Sequence, residues 1–178
     1  PTAALTRSGL KICFQHGNRD FLLGEAFAAE AGLELLPEYH VADLYGQPTL
    51  LLHGDSLCTD DTEYQAFRAQ SRRPDWQAAV LAMSVPERIA MAKNAREASA
   101  EHKGAASMEI MDVNADAVQR AFVEHDVTRM IHGHTHRPAV HRHELPDGSA
   151  ATRYVLSDWY RAGSYLEVTA DGIASRPV

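Results

Sequence analysis

The chain has 178 residues, 45% of them hydrophobic and 23% charged, with a formal net charge of -7 at pH 7. That is enough for one domain with a sizeable core and too short for two comfortable ones, and its acidity argues against a general nucleic-acid binder. No apolar run approaches the ~18–20 residues of a membrane span, so any membrane association is expected to be peripheral.

In chain order, Leu10 to Gln15 reads as a short apolar strand bounded by Gly9 and His16-Gly17-Asn18, followed by a helical stretch from Phe21 to Ala31 that Gly32 ends. Leu33 to Ala42 and Thr49 to His53 read as strands around the turn Tyr45-Gly46-Gln47-Pro48. From Asp60 to about Ala105 the pattern turns helical. Thr59 or Asp60 is the expected first cap, and Pro74 and Pro86 punctuate two further helices. This block, about 60–105, interrupts an alternation of strands and helices and is expected to be a cap inserted into a single domain spanning 1–178. Seven of the seventeen basic residues fall between Arg68 and Lys103, which suits a phosphate-bearing ligand or an anionic membrane surface. Ile110 to Val113, the helix Ala115 to His125 and the strand Thr128 to Ile131 resume the α/β rhythm, and Tyr154-Val155-Leu156 and Tyr165 to Thr169 finish with antiparallel strands. Cys13, in a strand expected to be buried, and Cys58 form no CxxC pattern and are read as reduced structural thiols.

Chemistry concentrates where three apolar strands run into Gly-containing turns: Gly17-Asn18-Arg19-Asp20, His53-Gly54-Asp55 and Ile131-His132-Gly133-His134-Thr135-His136. His134 and His136 flank one threonine, and neutral imidazole is a good ligand for Mn, Fe, Zn or Ni. Asn18 adds an amide oxygen and His53 a further imidazole. Mixed ligation of this kind is typical of hydrolytic dinuclear centres, while the missing thiolate set excludes a structural zinc ribbon. Arg19 lies beside whatever a metal there would bind, where a guanidinium suits a pentavalent phosphate transition state; the plainer alternative is a salt bridge to Asp20.

The segments GNRDFLLG (17–24), HGDSLCTDDTEYQAFR (53–68), IMDVN (110–114), HGHTHRPAVH (132–141) and VLSDWY (155–160) resemble the calcineurin-like metallophosphoesterases. More narrowly they resemble the UDP-2,3-diacylglucosamine pyrophosphohydrolases of lipid A biosynthesis, in which Arg replaces the usual His of GNH. The resemblance runs through nearly the whole chain. It implies a four-layer α/β/β/α sandwich with a helical cap. It also implies cleavage of the pyrophosphate of UDP-2,3-diacylglucosamine, by a hydroxide activated by a Mn2+ pair, to UMP and 2,3-diacylglucosamine 1-phosphate. Residue by residue, Asn18, His53 and His134 would ligate one metal and His136 the other. Asn18 and Arg19 would face the phosphates, with Arg19 the catalytic group, and Asp61, Ser99 and His134 would hold the headgroup. The apolar faces of the cap would receive the acyl chains, and the protein would sit peripherally on the cytoplasmic side of a Gram-negative inner membrane.

Three departures from the family pattern qualify these expectations. The superfamily's Asp-x-His and Gly-Asp-x-x-Asp motifs belong before Leu10 and are not found, so an N-terminal βαβα portion with the bridging carboxylate is expected to be lacking. Lys103 stands where the family usually has Asn and Ala106 where it has Lys; the i, i+3 spacing lets Lys103 present the charge on the same helix face. Ser157 replaces the Gly of VLGDWY. Two alternatives stand beside the lipid reading: a metallophosphoesterase acting on another nucleotide or a phosphodiester, and an inactive, N-terminally truncated fragment.

Overall fold

The computed structural model describes residues 1–105, 112–160 and 163–178, without the side chains of 98–105. Its organising feature is a five-stranded mixed sheet formed by β3 (His40–Leu44), β4 (Gln47–Leu52), β5 (Arg129–His132), β6 (Ala139–Glu144) and β7 (Ala150–Val155), in the order β3-β4-β5-β7-β6. β4, β5 and β7 run parallel, with Leu50–Leu52 beside Met130–His132 and Arg129–His132 beside Thr152–Val155; β3 and β6 are antiparallel edges. The three parallel strands therefore end on one edge, and the turns that carry His53, His134 and Asp158 all emerge there. In open α/β sheets ligands bind outside the carboxyl ends of the strands.

Alternation along each strand separates the two faces of this sheet. Leu50, Leu52, Met130 and Ala151 pack against α6 (Ala115–Glu124), whose Ala117, Val118, Ala121 and Phe122 form the apolar stripe of a one-sided helix. The Asn114 side chain caps α6 by accepting from Ala117 N at 3.0 Å, and its amide nitrogen reaches the Asp60 carboxylate. On the opposite face Leu51 and Ile131 line a cavity of about 440 Å³ together with Tyr165, Leu166 and Val168 of β8 (Ser164–Thr169), the strand that pairs with β9 (Gly172–Pro177).

A second, two-stranded parallel sheet joins β1 (Ile12–Gln15) to β2 (Leu33–Leu36) through α2 (Glu25–Ala31). Gln15 holds it to the main sheet, its Nε2 donating to the carbonyls of Pro37, Glu38 and Leu51 at 2.8–2.9 Å. Gly32 ends α2 with φ +71, and a Cβ there would lie 2.6 Å from Thr6 Oγ1 of α1 (Thr2–Arg7).

Several elements differ from the sequence reading. The expected strand Leu33 to Ala42 is two strands in different sheets, broken at Pro37-Glu38. The hairpin turn is Tyr45-Gly46 alone, with φ +58 and +79, the positive pair that matches strand twist in a two-residue loop. Pro48 thus lies inside β4 opposite Asp43. Leu44–Gln47 is the hydrogen-bonded closing pair, so the Pro48 nitrogen faces away from β3, and β5 pairs only from Leu50 onward. α1 and β6 were not expected; β6 is almost wholly exposed and has no alternation to betray it. Cys13 is exposed rather than buried, Cys58 is buried, and the two form no disulfide.

Three helices follow the sheet's first half: α3 (Thr62–Ser71), α4 (Pro74–Ala82, with Pro at its first position) and α5 (Val85–Ala105). The α3 cap is Asp61, not Thr59 or Asp60, its carboxylate accepting from Tyr64 N at 3.0 Å. Ala106 and the first half of the strand expected at Ile110 to Val113 lie outside the described residues; Asp112 and Val113 lead irregularly into α6. No helix among the described residues is long and apolar enough to cross a membrane.

Candidate functional site

The turn after β1 is held by its own side chains. Asp20 Oδ1 accepts from Gly17 N at 2.6 Å, Leu23 N donates to Asp20 O, and His16 Nε2 bonds Leu23 O at 2.7 Å. Asp20 is thereby committed to the backbone, and among the described residues no ion pair joins it to Arg19. Arg19 is exposed and Asn18 half-buried. Gly17 is buried against the His53 ring: a Cβ there would stand 2.9 Å from Cε1 and 3.0 Å from Nδ1. Only glycine lets the Asn18-Arg19 turn lie on that imidazole.

His53 leaves β4 just before Gly54, whose φ of +109 and closeness to His132 (2.6 Å from a Cβ to Nδ1) again require glycine. Gly133 N donates to His53 O at 2.9 Å, so the β5 turn zips onto the β4 turn. That brings His134 Nδ1 to 3.2 Å from His53 Nε2, with ring centroids 5.0 Å apart. His134 and His136 both adopt left-handed backbone, φ +67 and +56, uncommon for non-glycine residues and costly unless the surroundings enforce it. His136 points instead toward β7's exit, 3.6 Å from Asp158 Oδ2 and beside Tyr160. Ser157 shares a hydroxyl–hydroxyl bond with Ser164, tying that exit to β8.

Burial lowers the His53 pKa, opposed by the charges of Asp55 and Asp20, and so favours a neutral, ligating imidazole. Deeper still, His132 is fully buried and its pKa falls to about 4, chiefly through desolvation. Its Nε2 lies 2.9 Å from the Arg153 guanidinium and its Nδ1 2.9 Å from Gly133 O. A guanidinium only donates, so Nδ1 carries the proton.

The structure thus brings His53 and His134 together, lays the Gly17-Asn18-Arg19 turn against the nitrogen-bearing edge of the His53 ring, and sets His136 against Asp158. Asp61 serves as the α3 cap. Ser99 and Lys103 lie on the α5 backbone with side chains outside the described residues. Sequence reasoning assigned no role to Asp55, which is 2% exposed and accepts from Tyr64 Oη at 2.6 Å and Arg68 Nε at 3.0 Å. Burial alone would raise its pKa; the Tyr64 hydroxyl and Arg68 outweigh that and hold it low. The available signal was a carboxylate inside a buried turn, which needs charge partners.

Two imidazole nitrogens 3.2 Å apart match two ligands on one cation with metal–nitrogen bonds of ~2.0–2.1 Å. Together with the amide turn beside them, they fit part of the shell of a divalent transition metal. Among the described residues no three of His, Cys, Asp and Glu gather as a metal set.

A mixed α/β architecture whose parallel strands end beside the paired imidazoles of His53 and His134 has the layout of a sheet-edge site. No protein-family model matches the chain. A UDP-2,3-diacylglucosamine hydrolase of Xanthomonas campestris is 49% identical over 178 residues, covering 96% of this chain and 72% of the relative. Namesakes from Xanthomonas axonopodis (51% over 176 residues; 95% and 71%) and Yersinia pseudotuberculosis (49% over 170; 96% and 70%) are equally similar. The chain belongs to the UDP-2,3-diacylglucosamine hydrolase family.

Proposed function

We propose that the protein hydrolyses the pyrophosphate bond of UDP-2,3-diacylglucosamine, giving UMP and 2,3-diacylglucosamine 1-phosphate in lipid A biosynthesis. The observation that carries this reading is the near-50% identity to hydrolases of that name along 95–96% of the chain. His53 and His134, with Asn18, would hold one Mn2+, and His136 a second. Bound Mn2+ supplies Lewis-acid stabilisation of phosphate charge and acidifies the attacking water. Arg19, exposed on the turn that Gly17 seats against His53, offers a guanidinium for bidentate contact with phosphate oxygens. Asn18 would orient the same phosphate.

The wider architecture belongs to the same proposal: a calcineurin-like sandwich whose cap is α3–α5. Phe67, Leu81, Met83, Val85 and Ile89 are exposed on those helices, apolar surface suited to acyl chains. Arg73 caps α4, and Arg88, Lys93 and Arg96 lie on α5. Arg73 and Lys93 pair with Asp75 and Glu97, and the basic residues of these helices would suit diphosphate or the anionic cytoplasmic face of the inner membrane. Asp61, Ser99 and Lys103 are the proposed headgroup contacts.

Mn2+-dependent release of UMP, followed by 31P NMR, tests the assignment. His53→Ala should abolish it, and wild-type turnover in that variant would overturn it. Equal turnover of UDP-N-acetylglucosamine, which lacks the two acyl chains, would instead favour a soluble-nucleotide hydrolase.

A further inference from the structure

The Asp55 carboxylate gathers three side chains from successive turns of α3 and its C-cap. Besides Tyr64 and Arg68, Arg72 Nη2 stands 3.7 Å from Asp55 Oδ2. Arg68 also pairs with Glu38, so two guanidiniums meet two carboxylates. Arg72 reaches further: the same Nη2 donates to Gly17 O at 2.9 Å, and its guanidinium carbon lies 4.6 Å over the Phe21 ring. Gly17 backs onto His53, and the Tyr64 ring lies 5.8 Å from that of His134. One buried carboxylate thus touches α3 directly and, through Arg72, the turn that presents Asn18 and Arg19. Its own turn presents His53.

We infer that Asp55 and Arg72 are a positioning pair that clamps the 17–20 turn and the 53–55 turn to α3, fixing the direction of Asn18 and Arg19 relative to His53 and His134. Neither residue needs to touch substrate. Buried charge pairs are weak sources of stability, because desolvation offsets their attraction, and are better suited to fixing one arrangement among several. The roles given to Asn18 and Arg19 rest on the proposed function, but the clamp itself is independent of the substrate.

Arg72→Met and Arg72→Lys, compared with wild type by 15N–1H NMR, calorimetric Mn2+ binding and UMP release, test the pair. Lysine keeps the charge and a single donor nitrogen for Asp55 and Gly17 O, but it loses the planar guanidinium that lies over Phe21 and orients that nitrogen. The expected result for a folded Arg72→Met is displaced amide resonances at residues 17–20 and displaced His53 ring resonances, with the rest of the spectrum preserved. Mn2+ affinity should fall about 10-fold or more, and kcat should fall with KM nearly constant. Arg72→Lys should lie between the two. If Arg72→Met does not fold, Arg72→Lys decides by the same resonances. A purely structural role would lower Tm and leave the folded spectrum and Mn2+ affinity alone, and that result overturns the inference. Should wild type release no UMP while the variant still displaces the 17–20 turn, the substrate reading fails and the clamp stands.

Discussion

Gly17 shows how much of this site depends on an absent side chain. A Cβ at that position would press 2.9 Å from the His53 ring, closer than carbon contacts tolerate, while its backbone lies outside the positive-φ region and would accept alanine. Gly17→Ala should therefore act through the clash alone. Overpacking of this kind costs about 1–3 kcal/mol, and a displaced imidazole or phosphate turn lowers turnover on the order of 10–100-fold. Urea unfolding, His53 ring NMR and UMP release together check this; an unshifted His53 with wild-type turnover would show that the turn does not rest on the ring. At this scale the sequence was most legible where chemistry and chain position coincide. Asn18, Arg19, His53, His134 and His136 stand out because each follows an apolar strand. Asp55 did not, because its partners Tyr64, Arg68 and Arg72 are recognisable only once α3 folds back over the turn. The Arg19–Asp20 salt bridge was a fair local guess; the unfilled Gly17 amide claimed the carboxylate first.

Among the elements, α3 carries two demands on one residue. Asp61 closes its first turn by accepting from Tyr64 N, and it is also the proposed headgroup contact. Substitution separates these roles. Asp61→Ala should cost about 1 kcal/mol through the lost cap, whereas Asp61→Asn keeps a competent cap and should cost a few tenths. If the carboxylate also meets the headgroup, KM should rise in both variants, including the stable Asn one. Urea titrations beside steady-state kinetics resolve this, and an unchanged KM in Asp61→Asn removes the headgroup role. The helices from α3 onward were legible because their apolar spacing and proline positions are local signals, and α6 runs within one residue of its expected bounds; α1 was missed and α2 begins four residues later than expected. Strands were less so. Pro37 splits one apolar run between two sheets, and Pro48 sits inside a strand because its nitrogen faces an unpaired flank. β6 is held by its backbone ladder with β7 and by the side chains of Arg142 and His143 reaching Thr152 and Arg153, and its exposed residues show no alternation.

For the molecule as a whole, the decisive arrangement is the parallel register of β4, β5 and β7, which brings three distant turns to one edge. His132, the last residue of β5, is the joint beneath it. It is fully buried, bonded to Arg153 of β7 through Nε2 and to Gly133 O through Nδ1. Protonation would place a second cation against a guanidinium out of reach of bulk solvent, and burial holds its pKa at about 4 against an ordinary value of 6.5. The folded value is thus the lower one, so the unfolded chain binds the proton more readily. Stability from this group is complete above about pH 6.5 and is lost as pH falls from there toward 4, by at most about 3 kcal/mol. Carboxylate titrations enter only at the lower end of that window, so the upper part reports the histidines, with His53, His141 and His143, also lowered by burial, adding to His132 in the same direction; the His132 ring resonances separate its share. Urea midpoints in EDTA-containing buffer should hold steady from pH 8 to about 6.5 and then decline by pH 5, with the His132 ring still neutral by NMR in the folded protein. A midpoint flat to pH 5, or a folded His132 that titrates near its ordinary value, would mean that the sheet edge is not built on a neutral imidazole.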